Sequence, residues 1–128
     1  MEDNKKKILL EFDMKRAPVA LLWTYISTAN GLARWFADRV EINHKEFLFS
    51  WKNYTQEAHL LGSRIGAYMR LHWVDEPVGT FFEMRITVNE LTDSTMLAVT
   101  DFAEEGEEQD VIDLWSSQID AMRHMIGC

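Results

Sequence analysis

Residues 16–36 read RAPVALLWTYISTANGLARWF, and this stretch decides the fold. Pro18 suits the first turn of a helix, where the ring fixes a helical φ and the missing N–H has no partner to lose. Val19, Leu22, Trp23 and Ile26 then recur at the i, i+3, i+4, i+7 spacing of one buried helical face. Ser27, Thr28 and Asn30 interrupt that periodicity and can cap a second, short helix carrying Leu32, Trp35 and Phe36 on a common side.

Around this helix pair the chain reads as strands. Upstream, Ile8, Leu10, Phe12 and Met14 alternate with Leu9, Glu11 and Asp13, the period-two pattern of a strand with one buried face. Downstream, 39–43 and 47–52 form two short strands about a polar turn at His44-Lys45, with Phe47, Phe49 and Trp51 on one face. Segments 54–61 and 64–74 are expected to form a hairpin about Gly62-Ser63. A turn at 75–79 precedes Phe82, Met84, Ile86 and Val88, and Thr92-Asp93-Ser94 leads into a strand over 95–102. Val111, Leu114, Trp115, Ile119, Met122 and Ile126 place a long amphipathic helix over 108–126, with acidic residues in its first turn and Arg123 and His124 in its last, as the helix dipole favours.

The composition narrows function by exclusion. At 128 residues and 47% hydrophobic content the chain is expected to be one domain, 1–128, with one core. Lys and Arg number 13 against 21 for Asp and Glu, a formal charge of −8, so a phosphate backbone would be repelled and no nucleic-acid partner is expected. Lys5-Lys6-Lys7 reads as a solvated tail. No apolar run approaches the ~18 residues of a membrane span, and Glu11 interrupts the N-terminal apolar run before it becomes a signal-peptide core. A cytoplasmic protein is expected. The single cysteine, Cys128, cannot form an internal disulfide. His44, His59, His72 and His124 show no linear ligand spacing, and no phosphate loop or nucleophile elbow occurs, so neither metal nor cofactor is expected.

The order of strand, two short helices, about six antiparallel strands and one long helix, together with Ala17-Pro18 and the Leu32-x-x-Trp35-Phe36 sequence, resembles the START-like (SRPBCC) superfamily. The branch it is most similar to is the one named for the activator of the heat-shock-protein ATPase. Two features depart from that branch: Ala37-Asp38-Arg39 replaces its Gly-rich turn, and Asp113-Leu114-Trp115 replaces the glycine-tryptophan opening of the last helix. The resemblance implies an α+β helix-grip fold, a curved antiparallel sheet of about seven strands wrapped around the C-terminal helix, often with a cavity between them.

Pairing Trp73 with Phe82 sets Leu71 opposite Met84, Met69 opposite Ile86 and Ala67 opposite Val88, which makes one face of the sheet continuously apolar. Tyr68, Arg70, His72, Glu83 and Arg85 fall on the other, solvated face, with His72 opposite Glu83 and with Glu57 and Glu83 flanking Arg70. The residues facing the implied cavity are Met69, Leu71, Trp73, Met84, Ile86, Trp115, Ile119 and Met122. They are the candidate ligand-binding set, and the interleaved methionines suit an adaptable apolar site. No catalytic residue carries over from the family. The leading expectation is non-catalytic binding of a small hydrophobic molecule, a lipid or an aromatic metabolite. A protein-interaction module of the co-chaperone kind, as a homodimer or with a protein partner, is the alternative. A cyclase-type enzyme is the third, and it would need an inward titratable residue, for which Gln56 and Asp101 are the inner-face polar positions.

Overall fold

The computed structural model describes residues 5–128. Its elements run β1 (Lys6–Asp13), α1 (Val19–Ser27), α2 (Ala29–Trp35), β2 (Arg39–Asn43), β3 (Glu46–Trp51), β4 (Tyr54–Arg64), β5 (Tyr68–Trp73), β6 (Phe82–Asn89), β7 (Ser94–Ala103) and α3 (Glu108–Ile126). The seven strands form one antiparallel sheet in the order β1-β7-β6-β5-β4-β3-β2, curved about α3 in the helix-grip manner. Trp115, Ile119 and Met122 are the buried face of α3, and Gly127 ends the helix in the left-handed region at φ 81°.

The helix pair is built on two capping residues. Pro18 takes the N-cap position with extended backbone, and α1 begins at Val19. Thr28 closes α1 and opens α2, its Oγ1 accepting from the Gly31 N–H at 2.9 Å and donating to the Thr24 carbonyl at 2.7 Å. The Trp35 indole donates to the Tyr25 carbonyl at 2.9 Å, so the tryptophan of α2 is fixed to the end of α1. Thr95 of β7 donates to the Ala17 carbonyl at 2.7 Å, and the Met14 N–H donates to the Thr95 carbonyl at 2.8 Å, tying the start of α1 to the sheet.

Two registers differ from the sequence expectation. The β4–β5 hairpin turns at Ile65-Gly66-Ala67, not at Gly62-Ser63; Gly66 lies at φ 76°, and Arg64 pairs with Tyr68. A three-residue loop with glycine in the left-handed region is a favoured hairpin closure, and a bulge between Leu60 and Gly62 absorbs the irregularity. The β5–β6 pairing has Leu71 opposite Phe82 and Met69 opposite Met84, two residues from the expected register. The longer loop over 74–81 causes the slip: Thr80 Oγ1 donates to the Pro77 carbonyl at 2.7 Å, and the His72 imidazole meets the Thr80 carbonyl at 2.8 Å. Because side chains alternate with period two, a two-residue slip leaves every side chain on its expected face.

The outer face is less open than expected. Arg70 lies directly opposite Glu83, and His72 is engaged by Thr80 rather than by Glu83. Glu83 is only 5% exposed, bonded by Arg70 Nε at 2.9 Å and Arg85 Nε at 3.0 Å. The two guanidinium groups in turn cover the rings of Phe81 and Tyr68. Burial pushes the Glu83 carboxyl up, but the bonds from Arg85 and Arg70 outweigh it and hold the pKa below the ordinary value. Glu57, expected beside Arg70, is bonded to His59 at 2.8 Å instead. The lysine run is no tail either, since Lys6 and Lys7 are already paired with Ala103 and Phe102 of β7.

Two substitutions test this construction. A Cβ on Gly31 would lie 2.0 Å from the Thr24 carbonyl oxygen and 2.7 Å from Tyr25 Cα. Gly31→Ala must therefore push α2 off α1, and is expected to lower unfolding free energy by about 1–3 kcal/mol in urea denaturation, where an unchanged midpoint would contradict the close approach. Glu83→Gln leaves two guanidinium groups without their carboxylate and is expected to cost about 2 kcal/mol near pH 7. A lowered folded-state pKa gives stability that is complete above the unfolded value and is lost as pH falls through the folded one. The gap between wild type and Glu83→Gln should accordingly close on acidification below about pH 4.5.

Candidate functional site

Packing stops at one end of the sheet. β3 ends there with Trp51, β4 begins with Tyr54 and Gln56, β5 ends with Trp73, β6 begins with Phe82, and Asp101 lies near the end of β7. Phe36, just past α2, and Leu114, Trp115 and Gln118 of α3 close the other side, with Glu76 at the rim from the β5–β6 loop. The cleft so formed has a volume of about 230 Å³. A recess of about 140 Å³ adjoins it, sharing Trp73, Glu76 and Asp101 and reaching Lys5.

The walls are aromatic because inward positions at five strand ends carry rings or methylenes. Trp51 stacks on Tyr54 at 5.1 Å between centroids, and Trp73 on Phe82 at 4.9 Å. Phe36 lies 5.8 Å from Trp115 and 6.4 Å from Trp73. The indole of Trp51 and the amide of Gln118 both donate to the Phe36 carbonyl at 3.1 Å, which fixes the helix–sheet gap at the cleft floor.

Asp101 supplies the polar centre. Alternation along β7 turns it inward with Leu97 and Val99, and its Oδ2 accepts from the Trp115 indole at 2.7 Å while Oδ1 accepts from the Phe102 N–H at 2.7 Å. Burial raises its pKa above the ordinary value, and the two N–H donors and the nearby Lys5 charge only partly offset that rise. Lys5 is bonded to Glu76 at 2.6 Å and lies 3.9 Å from Glu104. Burial pulls its ammonium down, but Glu76, Glu104 and Asp101 together carry it above the ordinary lysine value.

Of the eight residues expected to face a cavity, Trp73 and Trp115 line this cleft. Met69, Leu71, Met84, Ile86, Ile119 and Met122 are buried in the core beneath it, where α3 seats on the sheet. Gln56 and Asp101, chosen by strand parity, both reach it. Phe36, Trp51, Tyr54, Glu76, Phe82, Leu114 and Gln118 also line it and are not among the sequence-based candidates; the shared face of Phe47, Phe49 and Trp51 is the signal that points to Trp51. On the outer face, Glu46, Glu57 and His59 bring ligand atoms within 4.8 Å of one another, a cross-strand grouping that linear spacing does not reveal. Within it the Glu57 carboxylate and the His59 imidazole are bonded at 2.8 Å.

The Asp101 environment has a measurable signature. A carboxyl whose folded pKa exceeds its unfolded one binds more protons in the folded state between the two values, so its ionisation erodes stability as pH rises through that window. Carbon-detected NMR titration should place the Asp101 midpoint above about 3.9. Trp115→Phe removes a donor to the charged form and should raise the midpoint further; a downward move would contradict the assigned cause.

A family model described as a START-like superfamily domain matches residues 1–128. The fold is shared with the solution structure of BfR322 from Bacteroides fragilis, which is 36% identical over 96% of this chain and 92% of that one, with a TM-score of 0.69. It is shared also with the Aha1 dimer from Colwellia psychrerythraea, 11% identical over 94% and 96% of the two chains, TM-score 0.78. CalU16 from Micromonospora echinospora is 20% identical over 95% of this chain and 73% of that one, TM-score 0.69. None of the curated proteins matches the sequence. With the helix-grip topology and a family match along its whole length, the chain belongs to the START-like superfamily.

Proposed function

We propose that the chain binds a small hydrophobic molecule in the cleft between the sheet end and α3. One observation carries this reading: the aromatic walls converge on a few polar groups, Gln56, Asp101 and Gln118, in the pattern of ligand sites that combine apolar burial with fixed hydrogen-bonding positions. The volume of about 230 Å³ lies below the ~300–1,000 Å³ of drug-sized pockets, which favours a ligand with one aromatic ring over a long acyl chain. A cyclase-type enzyme is the second reading, favoured by Asp101 as an inward carboxyl with a raised pKa.

Native mass spectrometry and thermal-shift measurement against a series of single-ring aromatics test the proposal. A ligand at a hundred times its Kd should stabilise the protein by ~2.7 kcal/mol. Gln56→Trp, which fills the cleft from β4, should fold and lose the response. If no compound in the series stabilised the wild type, or if the variant responded equally, the site would not be a binding site. Recovery of the bound compound unchanged supports binding alone, whereas its conversion would favour the enzyme.

A further inference from the structure

The cleft carries a sign as well as a shape. Among the described residues its lining includes two carboxylates, Asp101 and Glu76, and no Lys, Arg or His. Lys5 stands in the adjoining recess, bonded to Glu76. Among the described residues, Lys5 shares its one charge between Glu76 at 2.6 Å, Glu104 at 3.9 Å and the nearby Asp101. Each oxygen of Asp101 accepts one bond from Trp115 or Phe102, and a carboxylate oxygen has room for a second. The rings of Trp51, Tyr54, Trp73 and Trp115 also line the cleft, and the electron-rich face of an aromatic ring attracts a cation.

We propose that the ligand of this cleft is a small organic cation, an ammonium group carried on a body of about one ring, held between the aromatic walls and the Asp101 carboxylate with Glu76 at the rim. This rests on the ligand-binding reading above and narrows its chemistry. A carboxylate ligand such as a fatty acid would meet two charges of its own sign in a partly desolvated site. A neutral ring would use the walls and leave Asp101 with only the partial compensation that Lys5 supplies. The ammonium satisfies both, and the protein's formal charge of −8 favours its approach. The raised pKa of Asp101 agrees with a carboxyl whose burial the Trp115 and Phe102 N–H groups and the Lys5 charge only partly offset.

Three probes of similar size separate the cases: benzylammonium, benzyl alcohol and benzoate, titrated into the full-length protein near pH 7 and followed by the indole N–H signals of Trp73 and Trp115 in NMR spectra. The ammonium should bind about tenfold more tightly than the alcohol, and benzoate most weakly. Asp101→Asn and Glu76→Gln should each reduce ammonium affinity several-fold, by about threefold or more, while leaving benzyl alcohol unchanged. Glu76 is at the rim, so Glu76→Gln carries the test should Asp101→Asn fail to fold. Equal affinity for ammonium and alcohol, tightest binding of benzoate, or an ammonium affinity insensitive to the foldable variants would overturn the cation assignment and leave the binding reading standing. Absence of binding by all three probes would overturn both.

Discussion

The ring of Phe36 is the constraint on which the rest depends. It stands at the end of α2 and meets Trp35 from its own helix, Phe49 and Trp51 from β3, Trp73 from β5, Phe82 from β6 and Trp115 from α3. Its carbonyl, at the helix end where no intrahelical donor remains, accepts from both Trp51 and Gln118. Aromatic pairs contribute ~0.5–1.5 kcal/mol each beyond the area they bury, so this one residue concentrates the coupling between the helix pair, the sheet and α3. The same ring forms part of the cleft wall. Stability and the shape of the site are therefore set by one group, and the site cannot loosen without loosening the junction of three elements.

Two desolvated carboxyl groups, one on each face of the sheet, show how a shared cost resolves in opposite directions. Burial raises the pKa of Glu83 and of Asp101 alike. Glu83 receives two guanidinium groups on the outer face and ends below its ordinary value. Asp101 receives an indole and a backbone N–H, both neutral donors, with Lys5 acting only through its charge, and it ends above. Charged partners offset desolvation where neutral donors do not suffice. The first arrangement is complete and holds β5 against β6. The second retains acceptor capacity and faces a cleft.

Much of the fold could be read from residues alone, because burial periodicity is a local property. Val19, Leu22 and Ile26 marked α1, and the apolar stripe from Val111 to Ile126 placed α3 over 108–126, as observed. Faces were legible for the same reason: Met69, Leu71, Met84 and Ile86 point inward even though their partners differ from those expected. Register was not legible. Gly62-Ser63 and Gly66 both offer turn chemistry, and the choice depends on how many residues the neighbouring strand can pair. The loop over 74–81 is longer than its turn residues announce, since Thr80 and His72 hold it by bonds that no local pattern encodes.

The site was half legible for a related physical reason. Alternation tells whether a side chain faces α3, but not how far along the strand the helix lies close enough to exclude a ligand. Met69 and Met84 of the sheet and Ile119 and Met122 of α3 are all buried in one continuous core, so side chains fill the middle of the grip. The cleft opens at the strand ends, and residues there come also from a loop and from the less apolar side of α3, such as Leu114 and Gln118. Trp73, Trp115, Gln56 and Asp101 were within reach of sequence reasoning because they satisfy the inward rule; Glu76 was not, because a loop carries it. Structures with 11% and 20% identity keep the same topology, so the topology does not determine these lining positions. The binding chemistry proposed for this member of the superfamily is therefore placed at its strand ends, where aromatic side chains stand beside the Asp101 carboxyl, rather than in the grip that supports them.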